Sequence, residues 1–173
     1  MANVLTEPVA ALARMFGDCR PFADWLGIPW NATDTARRIY TDGVTPIGDA
    51  ATMQADALQH LRPFVLLYPD QRGYRFARDA MPSCYSGNGQ ILAVLSRAYD
   101  SDKTPTQVWQ QAAAAVGKII SNAEPNAPGL LEMANTAGYL AFKSVEVTFL
   151  GRTPPESVLD YGDAYDVLLV FEY

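Results

Sequence analysis

One histidine, His60, is all that this chain of 173 residues offers to imidazole chemistry. Ser-His-Asp or Cys-His catalysis would have to run through it, and no Gly-x-Ser-x-Gly or comparable nucleophile motif is present to pair with it. Its place at the end of a short expected helix, near Arg62, reads as a solvated helix end. A histidine metal site would need carboxylates to complete the ligand set, and none is spaced to do so. Ser86-Gly87-Asn88-Gly89 has the glycines of a phosphate-cradling loop, but a strand-like run follows it rather than a helix N-terminus. A hairpin turn is expected there. Asp160, Asp163 and Asp166 recur every third residue; two flank a turn and the third enters a strand. They would not converge on Ca²⁺, and local turn bonding is the expectation. The carboxylate pair nearest to a general acid and base is Asp163 with Glu146, the basis of an alternative reading as a small cytoplasmic hydrolase or transferase. No catalytic residue, metal ligand or cofactor site is assigned on this reading, and the chain is not expected to be an enzyme.

Nine Tyr, seven Phe and three Trp make the chain rich in aromatics. A groove that stacks single-stranded nucleic acid needs Lys and Arg interleaved with those rings, and they are missing. Most of Tyr99, Tyr139, Tyr161, Tyr165, Tyr173, Trp25, Trp30 and Trp109 are therefore expected in the core. Arg37-Arg38 and the pair Arg75 and Arg78 read as solvated charges, or as subunit contacts if the protein assembles.

The elements that must position these groups follow from periodicity and punctuation. Thr6-Glu7-Pro8 opens a first helix with Val9, Leu12, Ala13 and Phe16 on one stripe, stopped by Gly17-Asp18. A second short helix covers Pro21 to Leu26 and ends at Gly27. A third, capped by Asn31 or Thr33, is expected to continue through Ile39 and Tyr40. Residues 52–61 fit a helical turn or two. Pro63 to Tyr68 is the first clear strand, Tyr74–Arg78 alternates as a half-exposed strand would, and Gln90 to Tyr99 follows as another. Thr104-Pro105 starts the longest helix, with Trp109, Ala112, Ala113, Val116, Ile119, Ile120 and Ala123 as its apolar stripe. A short helix over 129–138, a strand at Val145–Phe149, a corner at Gly151-Arg-Thr-Pro-Pro155 and a final strand from Tyr165 to Tyr173 complete the pass. That last strand carries apolar residues on both sides and is expected to be buried largely on both faces, so that the fold waits for the end of the chain.

The chain is read as a single domain, 1–173, with loop insertions around 41–51 and 70–84. Its class is α+β: a mostly antiparallel central sheet with helices packed on one face and the C-terminal strand buried in the sheet. A more parallel sheet, with the 104–123 helix as a crossover, is the alternative.

An apolar fraction of 49% with only 18% charged residues leaves a surface poor in charge, part of which neighbouring subunits would cover. The net charge of −6 and a pI near 4.6 argue against a general nucleic-acid binder, although DNA can pass an acidic surface without being gripped. Cys19 and Cys84 form no CxxC pair; reduced, buried thiols are expected and a disulfide is unsupported. No apolar run approaches the roughly 20 residues that span a bilayer. The N-terminus has no basic patch followed by an apolar stretch, so synthesis and retention in a cytoplasm are expected.

Two blocks carry a family resemblance. Val9-Ala-Ala-Leu-Ala-Arg-Met-Phe-Gly-Asp-Cys-Arg-Pro-Phe-Ala-Asp-Trp-Leu-Gly27, with Ala36-Arg-Arg-Ile-Tyr40 and Leu61-Arg-Pro-Phe-Val-Leu-Leu67, resembles small proteins encoded among the head-to-tail joining genes of tailed bacteriophages and prophages. The ending is similar to that of tail terminator proteins: strand Val145 to Phe149, the Gly151–Pro155 corner, Gly162-Asp163 and a terminal strand. The resemblance implies a helix-flanked sheet and a homo-oligomeric, six-membered ring that closes the head-proximal end of the tail tube. A neighbouring neck or head-completion protein is the other member of the same reading. Implied partners are further copies of the chain, the tail tube protein and neck proteins, with DNA passing through the ring, no membrane and no cofactor. The implied location is the virion, after synthesis in the host bacterial cytoplasm. Subunit contacts are expected on the loops around Gly43–Ala51, Met81–Gly89 and Gly151–Asp160, with Pro82, Tyr85, Asn88, Arg152, Pro154 and Pro155 as the candidate interface residues; edge strands offer a second mode of contact.

Overall fold

The computed structural model describes residues 7–41, 62–69, 75–78, 85–100, 102–134, 139–153 and 164–173. Expectations that fall on His60, Pro82, Cys84, Pro154, Pro155, Asp160, Asp163, the 42–51 loop or the 52–61 helix lie outside them.

Helix α1 (Glu7–Asp18) buries Val9, Leu12, Met15 and Phe16, an i, i+3, i+6, i+7 spacing that puts one apolar face on a sheet. Helix α2 (Arg20–Leu26) carries Pro21 in its first turn and stops at Gly27, whose φ of 74° only a residue without Cβ adopts freely. Two backbone bonds close that end, Gly27 N–H to Asp24 O (3.1 Å) and Ile28 N–H to Ala23 O (3.2 Å). Helix α3 (Ala32–Ala36) is capped by Asn31, whose Oδ1 accepts the Thr33 N–H at 2.9 Å. It does not continue to Tyr40. Ile39 and Tyr40 instead form a two-residue strand, β1 (Ile39–Tyr40), because a β-branched and an aromatic residue gain more from pairing with a sheet edge than from one further helical turn.

The sheet comprises β1, β2 (Phe64–Pro69), β5 (Gln90–Ala98), β6 (Ser144–Thr153) and β7 (Ala164–Glu172), in the order β1-β2-β5-β7-β6. Every neighbouring pair is antiparallel except β1 on β2. Helix α4 (Pro105–Ile120) lies in the chain between β5 and β6, which run the same way, but β7 is inserted between them in the opposite sense. The helix is thus a crossover, as the alternative reading had it, yet the ladder it feeds is antiparallel. The C-terminal strand is paired on both sides.

Val65, Leu67, Ile91, Ala93, Leu95, Val167, Leu169 and Phe171 form the buried sheet face beneath α1, α2 and α4. Phe16 meets Phe22 edge-on at 5.0 Å and Phe171 at 6.2 Å, which ties α1, α2 and β7 into one cluster. Each such side chain contributes about 1.5–3 kcal/mol by leaving water. The other face of β7 is only half-buried: Asp166, Leu168, Val170 and Glu172 keep partial exposure. Burial on both faces is therefore corrected to burial on one, since the described helices all lie on the side of Val167, Leu169 and Phe171.

Three further expectations are corrected. Ser86–Gly89 is no hairpin turn: β4 (Tyr85–Asn88) pairs antiparallel with β3 (Arg75–Arg78) in a separate two-stranded sheet, and Gly89 exchanges backbone bonds with Tyr173 at 3.3 and 3.1 Å. Gly87 thus serves an extended ladder, opposite Phe76. The Gly151 corner is also strand; β6 passes an irregularity between Phe149 and Gly151 and stays paired to Thr153. Finally, the stripe of α4 is Val108, Ala112, Val116 and Ile119, one residue out of phase at its start, so that Trp109 is 54% exposed. Helix α5 (Leu130–Met133) is a single turn, shorter than the 129–138 expected, with 135–138 outside the described residues.

Candidate functional site

The chemistry of the surface gathers where α4 meets the β6 side of the sheet. Thr104 starts α4 with a capping box: the Gln107 N–H reaches Thr104 Oγ1 at 3.3 Å, and the Thr104 N–H reaches Gln107 Oε1 at 3.0 Å. Pro105 in the first turn fixes the entry. This anchoring sets Trp109 beside the edge strand, where its ring lies edge-to-face with Phe149 of β6 at 6.0 Å. Between them opens a cleft of about 280 Å³ walled by Tyr99, Val108, Trp109, Ala112, Phe149 and Tyr165. Its lining is almost wholly apolar. Asp166 borders it at the sheet, but Asp166 is the cross-strand partner of Ser96, so its carboxylate belongs to the opposite face.

On that opposite face Arg62 Nε donates to Ser96 Oγ at 2.9 Å, and Asp166 Oδ1 is buried without a hydrogen-bond partner. Desolvation lowers the Arg62 pKa from its ordinary value and the Asp166 charge opposes that shift. The group is a charge cluster half out of water.

A second and larger depression, about 600 Å³, lies between α2, the end of β5 and α4 and shares Val108 and Tyr165 with the cleft. Its charges are Arg20, Arg97, Lys103 and Lys118 against Asp24, Asp100 and Glu124. Three of these are already engaged. Arg97 donates to the Trp25 carbonyl and sits over the Trp25 ring, 5.9 Å from its centroid. Lys103 holds Asp100 at 2.8 Å and Gln111 Oε1 at 2.9 Å, and its hydrogen bond is the main reason that the Asp100 pKa falls. Burial pushes the Tyr165 hydroxyl up. The Trp25 indole N–H faces it without completing a hydrogen bond of ordinary geometry. Near-balanced signs and internal pairing give this depression no net preference for an anion or a cation.

No protein-family model and no curated protein matches this chain.

Beyond Trp109 the surface continues along β6. Among the described residues this strand forms one edge of the sheet, ten residues long, bonded to β7 on one side only. Val147 is 40% and Leu150 56% exposed upon it. A long, apolar, unpaired edge is a template for another backbone. The sequence-derived interface residues fall partly here: Arg152 occupies β6 opposite Tyr165, whereas Tyr85 and Asn88 end β4, opposite Arg78 and Arg75. Pro82, Pro154 and Pro155 lie outside the described residues. Glu146, the proposed partner of Asp163, is exposed on β6 opposite Val170. Among the described residues no three His, Cys, Asp or Glu side chains gather as metal ligands.

Sequence reasoning missed Trp30 and Trp109 as surface groups. A signal existed for Trp30, since it sits between Pro29 and the cap Asn31, off every apolar stripe. For Trp109 there was none, because a one-residue change of phase is invisible in a helix with alanines on several sides.

Proposed function

We propose that this chain is a structural virion protein of a tailed bacteriophage, a tail terminator or an adjacent neck protein, which acts as a homo-oligomeric ring where tail meets head. One observation carries the reading: a ten-residue edge strand, β6, left open among the described residues and flanked by exposed Val147, Leu150 and Trp109, on a sheet with helices on one face. Such an edge offers backbone donors and acceptors along a line and apolar area beside it. A monomer is poorly served by that arrangement, and a ring subunit uses it. The helix-flanked antiparallel sheet agrees with the fold that the sequence resemblance implies. The acidic balance of −6 suits a ring through which DNA slides without sticking. The tail tube protein and the neck proteins would be its partners, and the virion its final location.

The deciding experiment is made on particles. Electron microscopy of virions from the parent phage, with mass spectrometry of purified particles, is expected to place the chain as a ring at the head–tail joint. Absence from purified virions would overturn the proposal, as would a soluble monomer that turns over a small molecule.

A further inference from the structure

We propose that Trp30 of one copy inserts into the Trp109–Phe149 cleft of the next, so that knob and hole on different surfaces of the chain join copies head to tail. The inference rests on the ring reading and specifies its contact. The cleft is apolar, walled by four aromatic rings, and bordered by the β6 edge strand through Phe149. Its volume of about 280 Å³ suits one large side chain. Trp30 is 55% exposed, an apolar side chain that this chain leaves in water without covering. It leads into α3, which packs on α1 and passes directly into β1, the strand at the other edge of the sheet. A knob and a hole formed by different residues make a heterologous contact, which propagates in one direction and closes into a ring when the rotation per copy allows.

Charge supports the same pairing. Seven residues beyond Trp30, Arg37 is exposed and held only by a 3.6 Å surface pair with Asp34, a contact of small worth. At the rim of the cleft, Tyr99 is followed by Asp100 and Asp102. Lys103 already pairs with Asp100, whereas Asp102 is exposed and no cation pairs with it among the described residues. The proposed contact pairs Arg37 of one copy with Asp102 of the next. An occupant from a different protein would have to supply both the ring and the base; a second copy already has them.

The test leaves knob and hole intact and places thiols on the rim, in a Cys84→Ser background. Full-length Arg37→Cys protein is mixed with Asp102→Cys protein and oxidised. Mixed disulfide dimers are expected in preference to either self-dimer, and the double variant Arg37→Cys/Asp102→Cys is expected to give a ladder ending in one closed species. Adding Trp30→Ala, an exposed change that leaves the melting curve unaltered, is expected to slow cross-linking by about tenfold or more. Self-dimers as abundant as mixed ones, or a rate indifferent to Trp30, would overturn the contact. If the unmodified protein sediments as a closed ring while no mixed dimer forms, the contact falls and the ring stands. A ladder that never closes would leave the contact and remove the ring.

Discussion

At the scale of single residues, α4 separates what buries from what merely looks apolar. Ile119 is fully buried and Trp109 more than half exposed, although both stood in the stripe read from sequence. Ile119→Ala is expected to cost about 2–5 kcal/mol, through lost transfer energy and the cavity left behind. Trp109→Ala should cost below about 1 kcal/mol, as surface changes do. Urea midpoints of the two variants check this, and a reversed order would mean that the phase of the helix is wrong. Cys19 makes a second case. It is wholly buried beneath α4, with Sγ 3.9 Å from the Ile119 carbonyl, and burial pushes its pKa up to about 12. Its thiol should therefore resist a disulfide reagent at pH 8 in the native protein and react on unfolding, at the rate at which the fold opens. Fast labelling of Cys19 in a Cys84→Ser variant would contradict the packing.

Glu132 carries a pH signature at the same scale. Desolvation is the largest single influence on it and raises its pKa, but hydrogen bonds from Ser121 Oγ (2.6 Å) and Asn122 N–H (2.9 Å), with others, outweigh it and the net shift is downward. A carboxyl depressed on folding adds stability above its ordinary value of 4.5 and loses it as pH falls through the folded pKa. The difference in melting temperature between the wild type and Glu132→Gln should thus be largest near pH 7 and shrink toward pH 3. A constant difference across that range would show that the carboxylate charge is not involved.

At the scale of elements, the ends of α4 are the points where sequence sets structure most directly. Thr104→Ala removes the capping-box acceptor and should lower stability by about 0.5–2 kcal/mol, read from thermal or urea unfolding. Gly129 acts at the other end. A Cβ there would lie 2.6 Å from the Asn122 nitrogen and 2.8 Å from the Ser121 Cα, both backbone atoms that cannot step aside. Gly129→Ala should accordingly disturb the connection from α4 to α5 and break the Glu132 bonds, with a loss larger than that from Thr104→Ala. An alanine tolerated without loss would mean that this turn is looser than described. Among the strands, β7 joins β5 to β6, so deletion of Val167–Tyr173 strips a buried row from the core and unpairs two ladders. Each buried backbone group left without a partner costs about 1–3 kcal/mol. Insoluble or molten protein is expected; a truncated chain with native near-ultraviolet circular dichroism and a cooperative melt would refute that role.

For the whole molecule, the relevant property is the asymmetry of the sheet. One edge is the two-residue β1 and the other the ten-residue β6. Under the proposed assembly, Leu150→Lys should leave the melting temperature nearly unchanged, because Leu150 is 56% exposed, and should reduce incorporation into particles measured by mass spectrometry. Undiminished incorporation would place the subunit contact elsewhere.

The sequence alone determined whatever depends on local chemistry: the α+β class, the stop at Gly27, the cap at Thr104, and the strands of residues 64–69, 90–98 and 164–172 to within a residue or two. Periodicity, proline and glycine act over a few residues and need no distant partner to be read. Tertiary structure decided the rest. Ile39 and Tyr40 left the helix because β2 offered them an edge. Ser86–Asn88 left the turn because β3 offered them a ladder. The face of α4 was chosen by the packing of Val108 and Ala112 against what lies beneath, and that choice turned Trp109 outward to form a cleft with Phe149, forty residues away. No local signal contains that cleft, since its walls come from the residue after β5 and from α4, β6 and β7, and only the strand order brings them to one edge.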